Sequence, residues 1–383
     1  MHTKKASNLR GAKKVIIIIL AVFFSLALLI GVGLGIYAYI NLHYDESDMK
    51  KVWKAGFTEK QAELENGTTL NYAESSDEQG NKTALLLIHG QGMAWEDYAR
   101  VLPELSQEYH VYAVDCHGHG SSSHNSSMDS SMEESRYTCK TMTEDFIWFI
   151  ENIIGEPCVV SGHSSGGILA ANVAANSPEN VIGLVLEDPP FFSVLPEEMQ
   201  NTFVWKDGFE VVHNFLNQTE EQYYVPYYFK NGYFWKLFQG LEQFPAETAK
   251  KYSEKYQKEC KKIWYMPYSW THGLLYIDEY DKDFSETFYD GTWFNGVSQE
   301  EMLQGIQCPC VYIKAKTDYG EDGVLYAAND DEDAKRVLEL VKNCEFIETD
   351  TSDHDIHFKY SERFIEILVD FNKGLGDGDS YEK

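Results

Sequence analysis

Pro157-Cys-Val-Val-Ser-Gly-His-Ser-Ser-Gly-Gly-Ile-Leu-Ala-Ala-Asn-Val-Ala-Ala175 is the stretch whose reading decides the fold. A short apolar run, Pro157 to Ser161, suits a buried parallel strand. Gly166 to Ala175 is built of small residues and reads as a helix. Between them lies Gly162-His163-Ser164-Ser165-Gly166, a Gly-x-Ser-x-Gly pattern followed by Gly167. Such a pattern arises by chance in roughly one chain in eight of this length at ordinary Gly and Ser frequencies. The strand before it and the helix after it make it specific, because a nucleophile elbow requires that arrangement. The bland alternative is an ordinary glycine-rich strand-to-helix turn. On the elbow reading the turn is too tight for side chains near the nucleophile, so glycine fits there without a clash. The Ser164 hydroxyl then stands at a helix N-terminus, where the dipole favours the negative charge of a reaction.

A serine hydroxyl is a weak nucleophile at neutral pH and needs a base, which in turn needs an orienting acid. Elbows of this kind order the three as Ser, acid, His along the chain. His354, in Asp350-Thr-Ser-Asp-His-Asp-Ile-His-Phe358, follows the last expected strand and precedes the last helix, so its loop can return to the elbow. His357, three residues on, is the competitor. Asp318, after the strand 309–315, is the leading candidate for the acid. Asp188 and Glu187, after the strand 181–186, are the alternatives, with Asp322 a minor one. A tetrahedral intermediate also needs donors for its oxyanion. The backbone amides of Ser165 and of Gln91, in His89-Gly90-Gln91-Gly92, are the expected pair.

Strands and helices alternate along most of the chain. Strands are expected at 83–88 and 109–114, helices at 95–106 and 141–154, and a strand at 181–186. The pattern resumes with strand 309–315, helix 332–343, strand 345–348 and helix 359–372. This alternation implies a mostly parallel sheet with helices on both faces. The core is expected to comprise 58–188 and 306–373, with 374–383 a polar tail. Residues 189–305 break the pattern: between Phe191 and Phe294 lie 29 of the 54 Phe, Trp and Tyr residues. They read as an inserted helical lid whose aromatics hold it together and roof an apolar pocket.

The charge is unevenly placed. The chain of 383 residues has a formal net charge of −29, which disfavours nucleic acid as a partner. Residues 1–14 nevertheless carry Lys4, Lys5, Arg10, Lys13 and Lys14 with no acidic side chain. Val15 to Ile40 is then free of charge; as a helix it would span roughly 39 Å, more than the ~30 Å of bilayer hydrocarbon. Tyr37 and Tyr39 stand at its far end, where aromatics favour the interface. A cleaved signal peptide would normally have a shorter apolar run, and Gly33-Leu34-Gly35 is a weak cleavage site. The expectation is one transmembrane helix at 15–40 and a stalk at 41–57. The positive-inside rule puts the N-terminus in the cytoplasm and the body outside, at a cell membrane.

The seven cysteines form no disulfide framework, and Cys308-Pro-Cys310 reads as small residues entering a buried strand. Sequons stand at Asn66, Asn81, Asn125 and Asn217. Metal-ligand spacing, phosphate loops and dinucleotide fingerprints are absent from the sequence, so no cofactor is implied.

His89-Gly90, Asp115-Cys-His-Gly-His-Gly-Ser121, Gly162-His-Ser-Ser-Gly166, Asp318 and His354 together resemble the α/β-hydrolase superfamily over residues ~59–373. The resemblance implies a serine triad, a two-amide oxyanion hole and a lid, with His117 and His119 in supporting roles. Asp353 stands where Gly often precedes the histidine of that family. Relatives that open epoxides or displace halide carry aspartate at the elbow, so serine points to acyl transfer to water. A carboxylic ester of a small or lipid-like acyl substrate is the expected target. Aminopeptidase-like or acyltransferase chemistry on the same residues, or a ligand-binding protein on a retained hydrolase fold, are the alternatives.

Overall fold

The computed structural model describes residues 2–77, 79–124, 137–196 and 198–377, with backbone alone for 2–13 and 377. The Asn125 sequon and the end of the expected tail, 378–383, lie outside the described residues. Two units are distinguished: residues 1–44 with 262–272, and residues 45–261 with 273–383.

The larger unit is organised by one sheet. Its strands are β1 (Thr58–Glu63), β2 (Thr69–Glu74), β3 (Thr83–Ile88), β4 (Tyr109–Val114), β5 (Cys158–His163), β6 (Val181–Glu187), β7 (Cys310–Lys314) and β8 (Cys344–Glu348). They lie in the order β1-β2-β4-β3-β5-β6-β7-β8. β1 and β2 pair antiparallel, as do β2 and β4; the remaining pairs are parallel. The central strands are rich in apolar residues because helices cover both faces; every residue of β5 and β7 is buried. The β1–β2 hairpin was not anticipated. β1 reads Thr-Glu-Lys-Gln-Ala-Glu and buries only Ala62, so an edge strand of this polarity carries little hydrophobic signal.

The helices of the sheet are α2 (Leu102–Glu108), α3 (Cys139–Phe149) and α4 (Ser165–Asn176) in the first half. The expected helix at 95–106 divides into a 3₁₀ turn at Trp95–Arg100 and α2, with Pro103 in the first turn of α2. The Thr138 hydroxyl caps α3 in a reciprocal pair with Thr141. The insertion between β6 and β7 is helical: α5 (Glu210–Leu216), α6 (Tyr224–Asn231), α7 (Tyr233–Lys236), α8 (Gln243–Tyr256), α9 (Tyr268–Thr271), α10 (Asp283–Tyr289) and α11 (Gln299–Gly305). Stacked rings bind it internally, among them Phe209 on Phe288 at 5.0 Å and Phe288 on Trp293 at 4.4 Å. The chain then closes with α12 (Asp331–Leu340), α13 (Ile356–Lys359) and α14 (Ser361–Asp377). α14 takes in residues 374–377, which composition had placed in the tail.

The N-terminal helix, α1, runs from His2 to Lys54 without interruption. Residues 41–54, expected as a stalk, are therefore its last turns. In the larger unit this end is packed: Val52 is fully buried in the core, Arg100 pairs with Asp48 at 3.1 Å, and Trp53 meets Trp95 edge-on. In the smaller unit the large apolar side chains from Val15 to Ile40 stand exposed. The helix is long and apolar enough to cross a membrane.

Candidate active site

Parallel strands bring their C-terminal ends to one edge, and loops leaving that edge assemble a site. The ladder pairs Ile88 with Gly162 and Gly162 with Leu186, so the segments after β3, β5 and β6 start side by side. These segments carry Gln91, Ser164 and Asp188.

Ser164 has φ 54° and ψ −124°, a left-handed conformation that L side chains rarely adopt. Its amide is held by the Glu187 carbonyl at 2.9 Å, and its own carbonyl accepts from Gly167. A Cβ on Gly162 would lie 2.1 Å from the Gly166 carbonyl oxygen. One on Gly166 would lie 2.4 Å from the carbonyl oxygens of Ile88 and His89. The glycines of the pattern are thus required by the closeness of β3, β5 and α4. Ser164 itself remains partly accessible while Ser161, Gly162 and His163 are buried.

The loop after β3 lies against this turn. A Cβ on Gly90 would meet the Ser164 Cβ at 3.0 Å. His89 fixes the loop: one ring nitrogen bonds the Gly90 carbonyl at 2.7 Å, and the other accepts from the Cys116 amide at 2.9 Å. Burial holds this imidazole down at about 4, so it is neutral and can donate on one side and accept on the other. For the amides of Gln91 and Ser165, no hydrogen-bond partner occurs among the described residues. The Gln91 side chain reaches the helical insertion instead, donating to the Ser285 hydroxyl of α10 at 3.3 Å.

His354 lies in the loop between β8 and α13, as expected. Its ring stands 4.5 Å from that of His163, the residue preceding Ser164. Its Nδ1 is 2.7 Å from Asp188 Oδ2. Asp188 is fully buried, whereas the His354 side chain is 37% accessible. The other Asp188 oxygen accepts from the Ala315 amide at 2.8 Å, and the Asp188 amide donates to the Ile313 carbonyl. Burial opposes protonation of His354, but the hydrogen bond and charge of Asp188 outweigh it, and the net shift is upward.

The expected acid, Asp318, is not the partner of His354. It is exposed on the loop after β7, accepting from the neighbouring Tyr319 amide. The chain leaving β7 is turned by the Ala315–Asp188 bond, and the carboxylate at the end of β6 takes the place beside the imidazole. Asp322 is engaged by the Tyr233 hydroxyl of α7 at 2.8 Å.

His357 and Glu187 form a second pairing directly behind the first. Adjacent residues at a strand end point to opposite faces, so Glu187 turns away from its neighbour Asp188. It accepts from the His357 amide at 2.7 Å and meets His357 Nδ1 at 2.8 Å. His357 Nε2 reaches Asp97 Oδ2 at 3.0 Å, and all three side chains are fully buried. Burial alone would keep His357 neutral; the charges of Glu187 and Asp97 raise it well above the ordinary imidazole range. Asp97, His163 and His357 are close enough to share a cation. Both nitrogens of His357 are already taken by carboxylates, so an ion there would have to break those bonds.

His117 and His119 sit in the loop after β4, where Asp115 accepts from the Trp95 and Ser121 amides and from Asn71. His119 packs against Tyr280 and Phe284 of the helical insertion, and its backbone bridges to that of Tyr280.

Comparison with known proteins agrees with this architecture. A family model described as "Alpha/beta hydrolase family" matches residues 85–367. The chain belongs to the alpha/beta hydrolase family. Among curated hydrolase relatives and other proteins it is similar to a "Magnesium-chelatase 30 kDa subunit" of Rhodobacter capsulatus, 34% identical over 26% of this chain and 33% of that protein. It is also similar to "Epoxide hydrolase 4" of Mus musculus, 29% identical over 35% of each chain. These matches span about a third of the relatives' length. Among solved structures, a membrane phospholipase A is similar at TM-score 0.56 and 20% identity, covering 92% of this chain and 98% of that one. An enol-lactonase from Burkholderia xenovorans LB400 is similar at TM-score 0.54 and 17% identity, covering 82% and 99%. At these identities the likeness is one of alpha/beta hydrolase fold.

Proposed function

We propose that this chain is a membrane-tethered serine hydrolase that cleaves a carboxylic ester through an acyl-enzyme on Ser164. The observation that carries the reading is a strained serine elbow together with a histidine whose ring lies beside that of the residue before Ser164 and whose Nδ1 is 2.7 Å from a buried carboxylate.

In this reading Asp188 accepts from His354 Nδ1–H and so leaves Nε2 free to take the Ser164 proton. Ser164 attacks the ester carbonyl, and the amides of Gln91 and Ser165 receive the oxyanion. The imidazolium, steadied by Asp188, then protonates the departing alkoxide. Water, deprotonated by the same nitrogen, releases the acid and restores Ser164. The aromatic lid favours an apolar acyl or aryl group, which makes a small or lipid-like ester the substrate class.

α1 supplies the tether, with residues 15–40 in the bilayer, the basic residues 1–14 in the cytoplasm and the catalytic body outside. The test uses the full chain in detergent or nanodiscs, a panel of acyl esters and aminoacyl amides, and a fluorophosphonate probe. Ser164→Ala is expected to abolish both ester turnover and probe labelling. Turnover surviving that substitution would remove Ser164 as nucleophile. Faster cleavage of aminoacyl amides than of esters would overturn the ester assignment.

A further inference from the structure

Residues 262–272 belong by sequence to the aromatic insertion, yet they are bonded to the last turns of α1 before residue 45. The Asn41 side chain uses both of its groups, donating to the Trp264 carbonyl at 3.2 Å and accepting from the Tyr268 amide at 3.1 Å. Lys262 donates to the Leu42 carbonyl at 3.1 Å. The Tyr44 hydroxyl meets His272 Nδ1 at 2.8 Å, and the Tyr44 ring stacks on Tyr268 at 4.5 Å. Asn41 and Tyr44 are buried by these contacts, although the helix before them is exposed.

The position of this contact along the helix matters. About 20 helical residues cross the ~30 Å of hydrocarbon, so a span that begins near Val15 is complete by about residue 35. The headgroup layer adds roughly 5–8 Å on each side, the rise of about four or five further residues. Residues 36–40 therefore cross that layer and Asn41 to Tyr44 stand at its outer edge. Within the layer the Tyr37 hydroxyl donates to the Tyr265 carbonyl at 3.4 Å, so the segment bonded to these residues is held at the level of the headgroups. The segment held there is Lys-Ile-Trp-Tyr-Met-Pro-Tyr-Ser-Trp-Thr-His, residues 262–272. Trp264 is 48% exposed and Trp270 44% exposed. Indole rings concentrate at this level of a bilayer because one edge is polar and the rest apolar. In a soluble setting two such tryptophans within seven residues would be an unexplained apolar surface.

We propose that residues 262–272 are a membrane foot of the lid, with Trp264 and Trp270 seated in the headgroup layer of the bilayer that α1 spans. The partner is the lipid surface itself. The inference rests on the reading of α1 as a membrane span, and it deepens the substrate assignment. A lid fastened to the lipid surface at the helix exit favours acyl esters that reside in that surface.

The test places p-benzoylphenylalanine in the full-length protein in place of Trp264, in place of Trp270, or in place of Phe24 in the middle of the span. Each protein is reconstituted in phosphatidylcholine nanodiscs, irradiated, and its lipid adducts are mapped by mass spectrometry. Adducts from all three positions are expected, on acyl chains for Phe24 and near the glycerol and headgroup for Trp264 and Trp270. Adducts from Phe24 without any from Trp264 or Trp270 would overturn the foot while leaving the span intact. No adduct from any position would remove the span, and the foot with it. Asn41→Leu, which removes both bonds from that side chain, is expected to lose the Trp264 adducts while keeping those of Phe24. Undiminished Trp264 labelling in that variant would overturn the role of the helix in holding the segment.

Discussion

His354 Nδ1 and Asp188 Oδ2 stand 2.7 Å apart, joined across a sequence separation of 166 residues. The carboxylate is oriented by three bonds at once: its second oxygen takes the Ala315 amide, its own amide gives to Ile313, and its first oxygen faces the imidazole. Asp188 also occupies a left-handed backbone conformation, φ 45°. Strain of this kind persists where surrounding bonds over-determine it, and here the bonds aim one side chain at one ring.

Asp188→Asn should therefore lower kcat/KM for an aryl ester by about ten-thousandfold, the cost seen when an orienting aspartate is replaced and the wrong imidazole tautomer is presented. Asp318→Asn should stay close to the unmodified enzyme, because Asp318 is exposed and bonds only locally. Steady-state kinetics on the two variants separates the candidates. A large loss in Asp318→Asn with little change in Asp188→Asn would reverse the assignment.

The pH profile follows from the same pair. His354 acts as a base only when neutral, and its pKa lies above the ordinary imidazole value of 6.5 because Asp188 outweighs the effect of burial. Activity should accordingly be low in acid and rise with pH, with its midpoint on the alkaline side of an unperturbed histidine. In Asp188→Asn the residual activity should show that midpoint displaced toward acid, since the raising partner has gone. A midpoint that does not move on this substitution would show that another group governs the profile.

Much of this was legible in the sequence, and the exception has a physical reason. The elbow could be read because its glycines, its strand and its helix are contiguous, so local sterics alone specify the turn. His354 could be read from its place after the last strand. The carboxylate that pairs with His354 could not, because the loops after β6 and β7 both begin with a carboxylate within a few residues, and both follow Ser164 and precede His354. Which one turns toward the imidazole depends on a tertiary bond, Ala315 to Asp188. A signal was nevertheless present: Glu187 and Asp188 are consecutive, and His354 and His357 lie in one short segment. Two adjacent acids at a strand end face opposite ways and can serve two different histidines. Residues 45–54 are polar enough to read as a linker, yet they are the last turns of α1 in the structure and place Val52 in the core.

That second histidine carries a stability prediction. His357 is fully buried between Glu187 and Asp97. Its folded pKa is raised well above 6.5. Stability from such a group is fully present below the unfolded pKa and is lost as pH rises through the folded one. Unfolding of the protein in detergent should thus become easier on the alkaline side. His357→Gln leaves two buried carboxylates without their cation and should cost about 3–5 kcal/mol. The same variant should lose its share of the alkaline decline. Denaturant midpoints measured across pH check both statements, and a variant as stable as the parent at neutral pH would show that the pairing contributes little.

The last prediction concerns the close approach that places the amides proposed as oxyanion donors. A Cβ on Gly166 would stand 2.4 Å from two backbone carbonyl oxygens, those of Ile88 and His89. Backbone cannot rotate aside as a side chain can, so Gly166→Ala must push α4 away from the end of β3. Overpacking of this sort costs roughly 1–3 kcal/mol, and the protein should melt earlier without failing to fold. The larger effect should fall on catalysis, because the displaced segment is the one that leads into Gly90 and Gln91. A mispositioned oxyanion donor costs roughly a hundredfold to a thousandfold in kcat. KM should change less than kcat, since the amides act on the oxyanion of the transition state. Gly208→Ala is the matched control: the nearest atom to its added Cβ is Val204 Cγ2 at 3.9 Å, so both its melting and its turnover should stay near those of the parent. If Gly166→Ala loses melting temperature but keeps full kcat, then the Gln91 amide does not serve the oxyanion, and the donors must be sought elsewhere along the strand ends.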